Sequence, residues 1–415
     1  MAVRAAEIFR PSGRNELEKT TKDAIILPEV FPAFRSAAGQ SVKEQRTADP
    51  VRAKIKGLQQ VMKPFFSIVI ACCDVEQYVR ECLDSVMSQS FGSWECICGI
   101  EDSKDNTEAV IREIAASEPR IRIFNHPRSG SCSATRNVGT DMAQGEYVIF
   151  LDGDDTIEKE SLARIAAAID ARPGADLYPC EIVAYTEGTD KREIRENYPP
   201  AASPVELTGP EATLFIAKYD IYPCPMLQMT VFRREFLIEH DLKCIYGLRR
   251  QDSEFSPRAL YLAKRVVPLH EPFYLYRIRA NSVSTAAKGA GYFHKDFAVI
   301  IHSLFAFHAK VSREPGFDRR ISQCWSRQWC YVLMSKWFSR LFVKSIPREE
   351  RLATLKVVFA EGFADFNALL RAATWKRRIA GWWVKMFVRH RFMRPAAEMF
   401  FGRLYFPLNE LRKSK

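Results

Sequence analysis

The sequence predicts an α/β fold, a mostly parallel sheet flanked by helices, followed by a C-terminal helical region. Three observations carry this expectation. Between Phe66 and Leu151, short apolar runs alternate with amphipathic helical text, the pattern of βαβ units and a parallel sheet. A chain of 415 residues, 47% hydrophobic and 27% charged, can bury one large α/β domain plus a second unit. Beyond about Ala287 the strand series stops, and long helical stretches rich in Trp, Phe and basic residues take over. The expected organisation is a polar leader over 1–63, an α/β domain over 64–286 and a helical, basic-aromatic region over 287–415.

The leader has mixed charges and no sustained periodicity, so it reads as a flexible arm or as an extension ahead of Met62. Ser67–Ala71 is an apolar, β-branched run suited to a strand buried on both faces. Asp74 is placed to cap a helix whose Val75, Val79, Cys82, Leu83 and Val86 share one face. Glu95–Ile100 is the second strand. Asp105 followed by Glu108 has the form of a capping box, with Val110, Ile111 and Ile114 as the buried stripe. Ile121–Phe124 is the third strand, Ser133–Ala143 a short helix ended by Gly145, and Tyr147–Leu151 the fourth strand. Ligands bind such sheets at the carboxyl ends of the strands. The loops Ala71–Asp74, Glu101–Asp105 and Asp152–Asp155 are therefore expected to converge on one cleft, and all of them carry acids.

The eleven cysteines show no CxxC pairs, which argues against a disulfide framework or zinc site and for reduced core thiols in the cytosol. Residues 1–30 lack the apolar core of a secretory signal, and the run Phe65–Cys73 is too short to span a bilayer. Most of the net charge of +11 sits in the tail, where Arg371–Lys415 holds twelve Lys/Arg against two Glu. There Trp375-Lys376-Arg377-Arg378, Trp382-Trp383, Lys385 and Arg389-His390-Arg391 interleave rings and cations. An interfacial helix needs that pattern on an anionic membrane; a helix packing its Trp face on the α/β domain is the alternative. Basic-aromatic text also suits base stacking, but no recognised nucleic-acid fold accompanies it and no nucleic-acid partner is expected. The expected location is cytoplasmic, peripheral on the inner face of the cell membrane.

Leu151-Asp152-Gly153-Asp154-Asp155 directly follows an apolar strand. In extended chain, residues two apart face the same way, so Asp152 and Asp154 can project together. Paired carboxylates there suit Mn²⁺ or Mg²⁺ bridging a diphosphate; a turn in which Asp154 or Asp155 caps the next helix is the plainer reading.

Four motifs in order give a more specific signal. Asp74-Val75-Glu76-Gln77-Tyr78 resembles N-x-E-x-Y, and Ile100 to Thr107 sits where D-D-G-S-x-D-N-T would stand. Ser133-Ala134-Thr135-Arg136-Asn137-Val138-Gly139 resembles S-A-A-R-N-x-G, and Gly145 to Asp155 resembles G-E-Y-x-x-F-L-D-x-D-D. Together they resemble the family 2 glycosyltransferases of GT-A fold, of the bacterial surface-polysaccharide type, over Phe66 to about Ser284. The resemblance implies that Ala71, Asp74, Glu76, Glu101, Ser103, Arg136, Asp152 and Gly153 bind the donor, with Asp154 and Asp152 as metal ligands. Departures occur where Ala71-Cys72-Cys73 replaces P-x-Y, where Ile100 and Glu101 replace two acids, and around Gly130–Cys132, which looks inserted.

In Arg249-Arg250-Gln251-Asp252-Ser253-Glu254-Phe255, Asp252 matches the family's general base and Gln251 replaces the preceding Glu. Glu254 is the reserve candidate, and a surface salt bridge is the plainer alternative for Asp252. Tyr276 to Ser284 resembles Y-R-x-R-x-x-S-x-S, in which Arg277 and Arg279 are placed to neutralise a departing nucleoside diphosphate or to sit as solvated strand-edge charges. The resemblance implies a metal-dependent hexosyltransferase acting by inversion, from a nucleotide-sugar donor to a glycan or lipid-linked acceptor. The Q-x-x-R-W element of processive members is absent, since Arg327-Gln328-Trp329 lacks that spacing, so single-sugar transfer is expected. A degenerate GT-A domain serving as a scaffold in glycan assembly is the competing reading.

Overall fold

The computed structural model describes residues 63–195, 198, 206–218, 227–279 and 290–331, with scattered positions from 347 to 400. The leader, Ala280–Ser284, Trp375–Arg378, Lys385 and Arg389 lie outside the described residues. β1 (Phe66–Cys72) is central, with β2 (Trp94–Glu101) and β4 (Tyr147–Asp152) parallel on either side and β3 (Ile121–His126) parallel beyond β2. Past β4, β9 (Thr230–Arg233) and then β6 (Leu177–Pro179) continue the sheet in antiparallel pairing, giving the order β3-β2-β1-β4-β9-β6.

β1 is buried at every residue but Ala71, which opens onto the loops at its end, because both faces are covered. Phe66, Ile68, Ile70 and Cys72 share a core with Val79, Cys82, Leu83 and Val86 of α1 (Val79–Met87). Val69 turns the other way, into a core with Ala143 and Phe255, as a period of two requires. Cys72, Cys82, Cys96 and Cys98 are buried in the first core, acting there as small apolar side chains. The helix α3 (Ser133–Met142) presses onto β1 and β2 at Gly139 and Gly99. A Cβ at Gly139 would lie 2.3 Å from Val69, and one at Gly99 2.5 Å from Thr135. That close approach lowers Arg136 of α3 to the end of β4.

Two helix starts differ from expectation. Asp74 does not cap α1: it lies at φ 52°, and its carboxylate accepts from the Lys104 amide (2.7 Å) and pairs with Arg128. At α2 (Thr107–Ala115), Asp105 accepts from the Thr107 amide (3.1 Å) and hydroxyl (2.6 Å), but Glu108 reaches Arg112 and Asn125 rather than back to the turn. No reciprocal box forms.

A second sheet was not legible in the sequence. β5 (Thr156–Ile157), β10 (Pro272–Ile278), β7 (Glu181–Thr186) and β8 (Arg192–Arg195) pair in the order β5-β10-β7-β8. It folds the chain around α4 (Ser161–Ala171) and sets the end of β10 beside the loop after β4. α5 (Gly209–Lys218), α6 (Arg234–Glu239) and α7 (Asp252–Leu262) complete this part.

α8 (Ala290–Val311) buries Phe297, Ile300, Ile301 and Leu304, and α9 (Arg319–Tyr331) buries Ile321, Trp325 and Trp329, each a helical stripe. They share a third core with Leu355, Val384 and Phe387. In the tail Trp383 stacks on Phe400 (5.2 Å, 18°), while Ile379 and Trp382 stand 42% and 47% exposed. Among the described residues of the tail, Trp383, Val384 and Phe387 pack inward while Ile379 and Trp382 face outward. Among the described residues no helix is long and apolar enough to cross a membrane.

Candidate active site

Because β1 pairs with β2 and β4 in parallel, Ala71 lies between Gly99 and Asp152, and the following loops emerge side by side. They are knitted together by hydrogen bonds. The Ser103 hydroxyl accepts from the Asp74 amide (3.2 Å), and Asp105 accepts from the Glu76 amide (3.0 Å). Glu76 in return accepts from the amide (3.1 Å) and side chain (2.9 Å) of Asn106. Asp74, Glu76 and Ser103 therefore shape this rim through contacts within it. Ala71 contributes its carbonyl, which accepts from Gly153 N (2.9 Å); a Cβ at Gly153 would lie 3.0 Å from that oxygen.

Glu101 is buried at the end of β2 and accepts from the Ser129 amide and hydroxyl (2.7 Å for the latter) and from Gly130 N (3.0 Å). Burial works against its charge, yet these donors hold the carboxyl below its ordinary value. The residues that look inserted thus form the loop that wraps Glu101.

At the end of β4, the three aspartates have three environments. Asp152 accepts from Arg136 Nη2 on Oδ1 (2.8 Å) and from Gln228 Nε2 on Oδ2 (2.7 Å). Asp154 meets Arg279 through Nε (3.0 Å) and Nη2 (2.9 Å); burial and the neighbouring Asp152 charge push its carboxyl up. Asp155 is buried and accepts from the Tyr274 hydroxyl (2.6 Å) and the Arg277 amide (2.7 Å), a structural clamp between the β4 loop and β10. Arg277 donates from Nε to the Asp154 carbonyl (2.9 Å) and pairs with Glu81 (2.6 Å). Its guanidinium lies 5.0 Å from the Tyr78 ring and 5.2 Å from that of Tyr185, and Arg279 lies 4.8 Å from Tyr78. Both arginines therefore sit at the DGD loop, held by rings and carboxylates rather than solvated at a strand edge.

Arg136 joins the two halves of the site. It is 4% exposed and, besides Asp152, it faces the Gln251 side-chain amide; turned so that both its ends are matched, that amide accepts from Arg136 Nη1 (2.8 Å) and donates to the Leu248 carbonyl (3.0 Å). Asp252 follows at the start of α7, half-buried, and burial raises its carboxyl above the ordinary value while Arg136 and Arg250 oppose the rise. Glu254 is different: it is fully enclosed, accepts from Arg258 Nη2 (2.7 Å) and from the Ser303 hydroxyl of α8 (2.6 Å), and so fastens α8 to α7. It is not placed to serve as the reserve base.

The fit to Mn²⁺ or Mg²⁺ follows from these contacts. Both oxygens of Asp152 are engaged by protein donors, and among the described residues no group of three His, Cys, Asp or Glu is placed to hold an ion. The donor set suits a cation shared between Asp154 and a diphosphate, which takes one or two carboxylates with phosphate oxygens and water, rather than one caged by protein. Sequence reading missed Gln228, Tyr274, Tyr185 and Arg128, which lie in text without motif.

Comparison with known proteins agrees with this geometry. Residues 67–241 match the model of glycosyl transferase family 2. The uncharacterized glycosyltransferase EpsJ of Bacillus subtilis (strain 168) is 28% identical over 226 residues, 54% of this chain and 64% of that protein. The O-antigen biosynthesis protein RfbC of Myxococcus xanthus is 29% identical over 240 residues, 55% of this chain and 17% of that protein. The chain thus spans less than two thirds of these relatives' lengths. Residues 1–349 of S. aureus TarS, solved with UDP-GlcNAc, superpose with a TM-score of 0.64 at 19% identity, covering 82% of this chain and 91% of that one. The parallel order β3-β2-β1-β4, the acid-bearing loops at its carboxyl edge and these matches agree: residues 67–241 are a glycosyl transferase family 2 domain of GT-A fold.

Proposed function

We propose that this chain transfers one sugar per encounter from a nucleotide-sugar donor to an acceptor hydroxyl, with inversion, in the synthesis of surface polysaccharide or lipid-linked glycan. The observation that supports this reading is the Arg136 bridge: its guanidinium meets Asp152 of the DGD loop on one side and, with the Gln251 amide turned to offer its oxygen, the residue before Asp252 on the other. The β4 end then receives the diphosphate and the start of α7 receives the acceptor.

Arg277 and Arg279 lie where charge develops on the departing nucleoside diphosphate. A divalent cation held by Asp154 would add to that neutralisation when bound. Asp252 takes the proton of the acceptor hydroxyl as its oxygen attacks the anomeric carbon; its raised carboxyl makes it a stronger base than an ordinary aspartate. Holding both substrates in one cleft supplies proximity. Asp74, Glu76, Glu101 and Ser103 line the nucleoside end, with Asp152 and Gly153 below the sugar. The exposed Ile379 and Trp382, with basic residues close to them in the sequence, suit an anionic membrane surface carrying a lipid-linked acceptor.

The test is donor turnover across UDP-, GDP- and dTDP-sugars with Mn²⁺ or Mg²⁺. UDP-GlcNAc comes first, since TarS of the same fold was solved with it. Turnover of one donor, with Asp154→Ala reducing it at least about a hundredfold, supports the reading. Absence of both turnover and metal-dependent nucleotide binding would replace it with a scaffold role.

A further inference from the structure

The loop after β4 is tied to one strand of the second sheet through a single phenol. Tyr274 of β10 is fully buried. Its hydroxyl accepts from the Asp152 amide (3.1 Å) and donates to Asp155 Oδ2 (2.6 Å). The other oxygen of Asp155, a side chain 1% exposed, accepts from the Arg277 amide of the same strand (2.7 Å). The Asp155 amide in turn donates to the Asp152 carbonyl (3.0 Å). One hydroxyl thus holds Asp152 and Asp155, with Gly153 and Asp154 between them.

The strand is shaped to present that hydroxyl. The pairing of β10 with β7 slips by one residue between Pro272 and Tyr274, an irregularity of the kind that re-aims a side chain beside a site. Phe273 and Tyr274 are both fully buried as a result of their packing in the first core. On its other side Tyr274 pairs with Ile157 of β5, so strands on both sides fix its backbone. Removing the hydroxyl would leave the Asp152 amide and one Asp155 oxygen short of a partner, and a buried polar group without one bears its full desolvation penalty. The readiest relief is for the loop to turn these groups toward water, which carries Asp154 with it.

We infer that Tyr274 is a positioning residue for the transfer: acting through the Asp152 amide and the Asp155 carboxylate, it sets the DGD loop so that Asp154 meets the cation and the diphosphate together. This rests on the transferase reading and deepens it. Tyr274 lies outside 67–241, the part that matches the family model, so the second sheet takes on the alignment of the donor loop.

Tyr178 supplies a matched control. It is equally buried, and its hydroxyl makes the same two kinds of bond, accepting from the Ala175 amide (3.1 Å) and donating to the Arg172 carbonyl (2.7 Å). It does so at the amino end of β6, the sheet edge opposite the site. The test is calorimetric titration of the full chain with UDP, GDP and dTDP, each in Mn²⁺ and in EDTA, with thermal melts of every variant. Tyr274→Phe is expected to lower nucleotide affinity in Mn²⁺ about tenfold to hundredfold while the affinity in EDTA is kept, and Asp155→Asn to change it in the same direction. Tyr178→Phe should lose a similar amount of Tm and keep the wild-type gain from Mn²⁺. A folded Tyr274→Phe that keeps that gain, a Tyr178→Phe that loses it equally, or wild-type binding that owes nothing to Mn²⁺ would overturn the assignment and leave the transferase reading standing. A wild type that binds none of the three nucleotides in Mn²⁺ sinks both.

Discussion

At the scale of single residues, the site assigns different work to groups that look alike in the sequence. Asp152 and Asp154 both belong to the DGD motif, yet the first is consumed by Arg136 and Gln228 and the second faces Arg279. Asp252 and Glu254 both open α7, yet only Glu254 is fastened to α8. Glu254→Ala is therefore expected to cost about 3 kcal/mol in urea denaturation, since it leaves Arg258 buried without its partner, while donor hydrolysis per folded molecule persists. For Asp252 the raised carboxyl sets two signs. As a base it must be ionised, so kcat/KM should fall with decreasing pH at a higher value than for an ordinary aspartate. As a half-buried charge it is disfavoured in the folded state, so Asp252→Asn should raise the Tm while strongly slowing transfer. These distinctions were not legible beforehand: residue type and spacing name the carboxylates, but the partners Gln228, Ser303 and Tyr274 are far away along the chain.

At the scale of elements, β1 to β4 were readable because each is a compact apolar run bounded by polar turns, and the parallel pairing follows from the helices between them. β5 has only two residues, both buried, and β8 four that are exposed or half-buried, so neither shows a pattern; their pairing partners decide them. The helix starts at Asp74 and Asp105 were misread for a related reason. The Asp74 carboxylate found its donors across the cleft rim, at Lys104 and Arg128. Asp105 does cap Thr107 while also accepting from the Glu76 amide, but the Glu108 half of its box is taken by Arg112 and Asn125. Below the site, the buried Glu95 ties three strands, accepting from the Ser67 hydroxyl (2.7 Å), Arg122 (2.8 Å) and the amide of Gln144 (2.6 Å). Glu95→Ala should cost about 3 kcal/mol by chemical denaturation, because Arg122 and these donors lose their shared acceptor. A loss below about 0.5 kcal/mol would show the network to be incidental.

At the scale of the whole molecule, the helical region does more than follow the catalytic one. α8 grips α7 through Ser303 and Glu254, and Leu248 enters the α8–α9 core just before the Arg249–Asp252 turn. The position of Asp252 thus depends on helices outside the family match. The tail carries most of the net charge, and its exposed Trp382 gives the membrane reading a specific test. Cosedimentation with vesicles containing anionic lipid should weaken about tenfold in Trp382→Ala and fall further with added salt. Binding that is indifferent to both would leave the exposed ring without that role.

The central claim is inverting sugar transfer with Asp252 as the base, and product analysis on wild type and Asp252→Asn tests it most directly. With a turned-over donor and its acceptor, proton NMR of the new linkage reads the anomeric configuration while nucleotide release reads the rate. The expected result is a configuration opposite to the donor's, with kcat lowered about a hundredfold to ten-thousandfold in Asp252→Asn and nucleotide affinity kept. Retained configuration, or an Asp252→Asn chain that transfers at the wild-type rate, would contradict it.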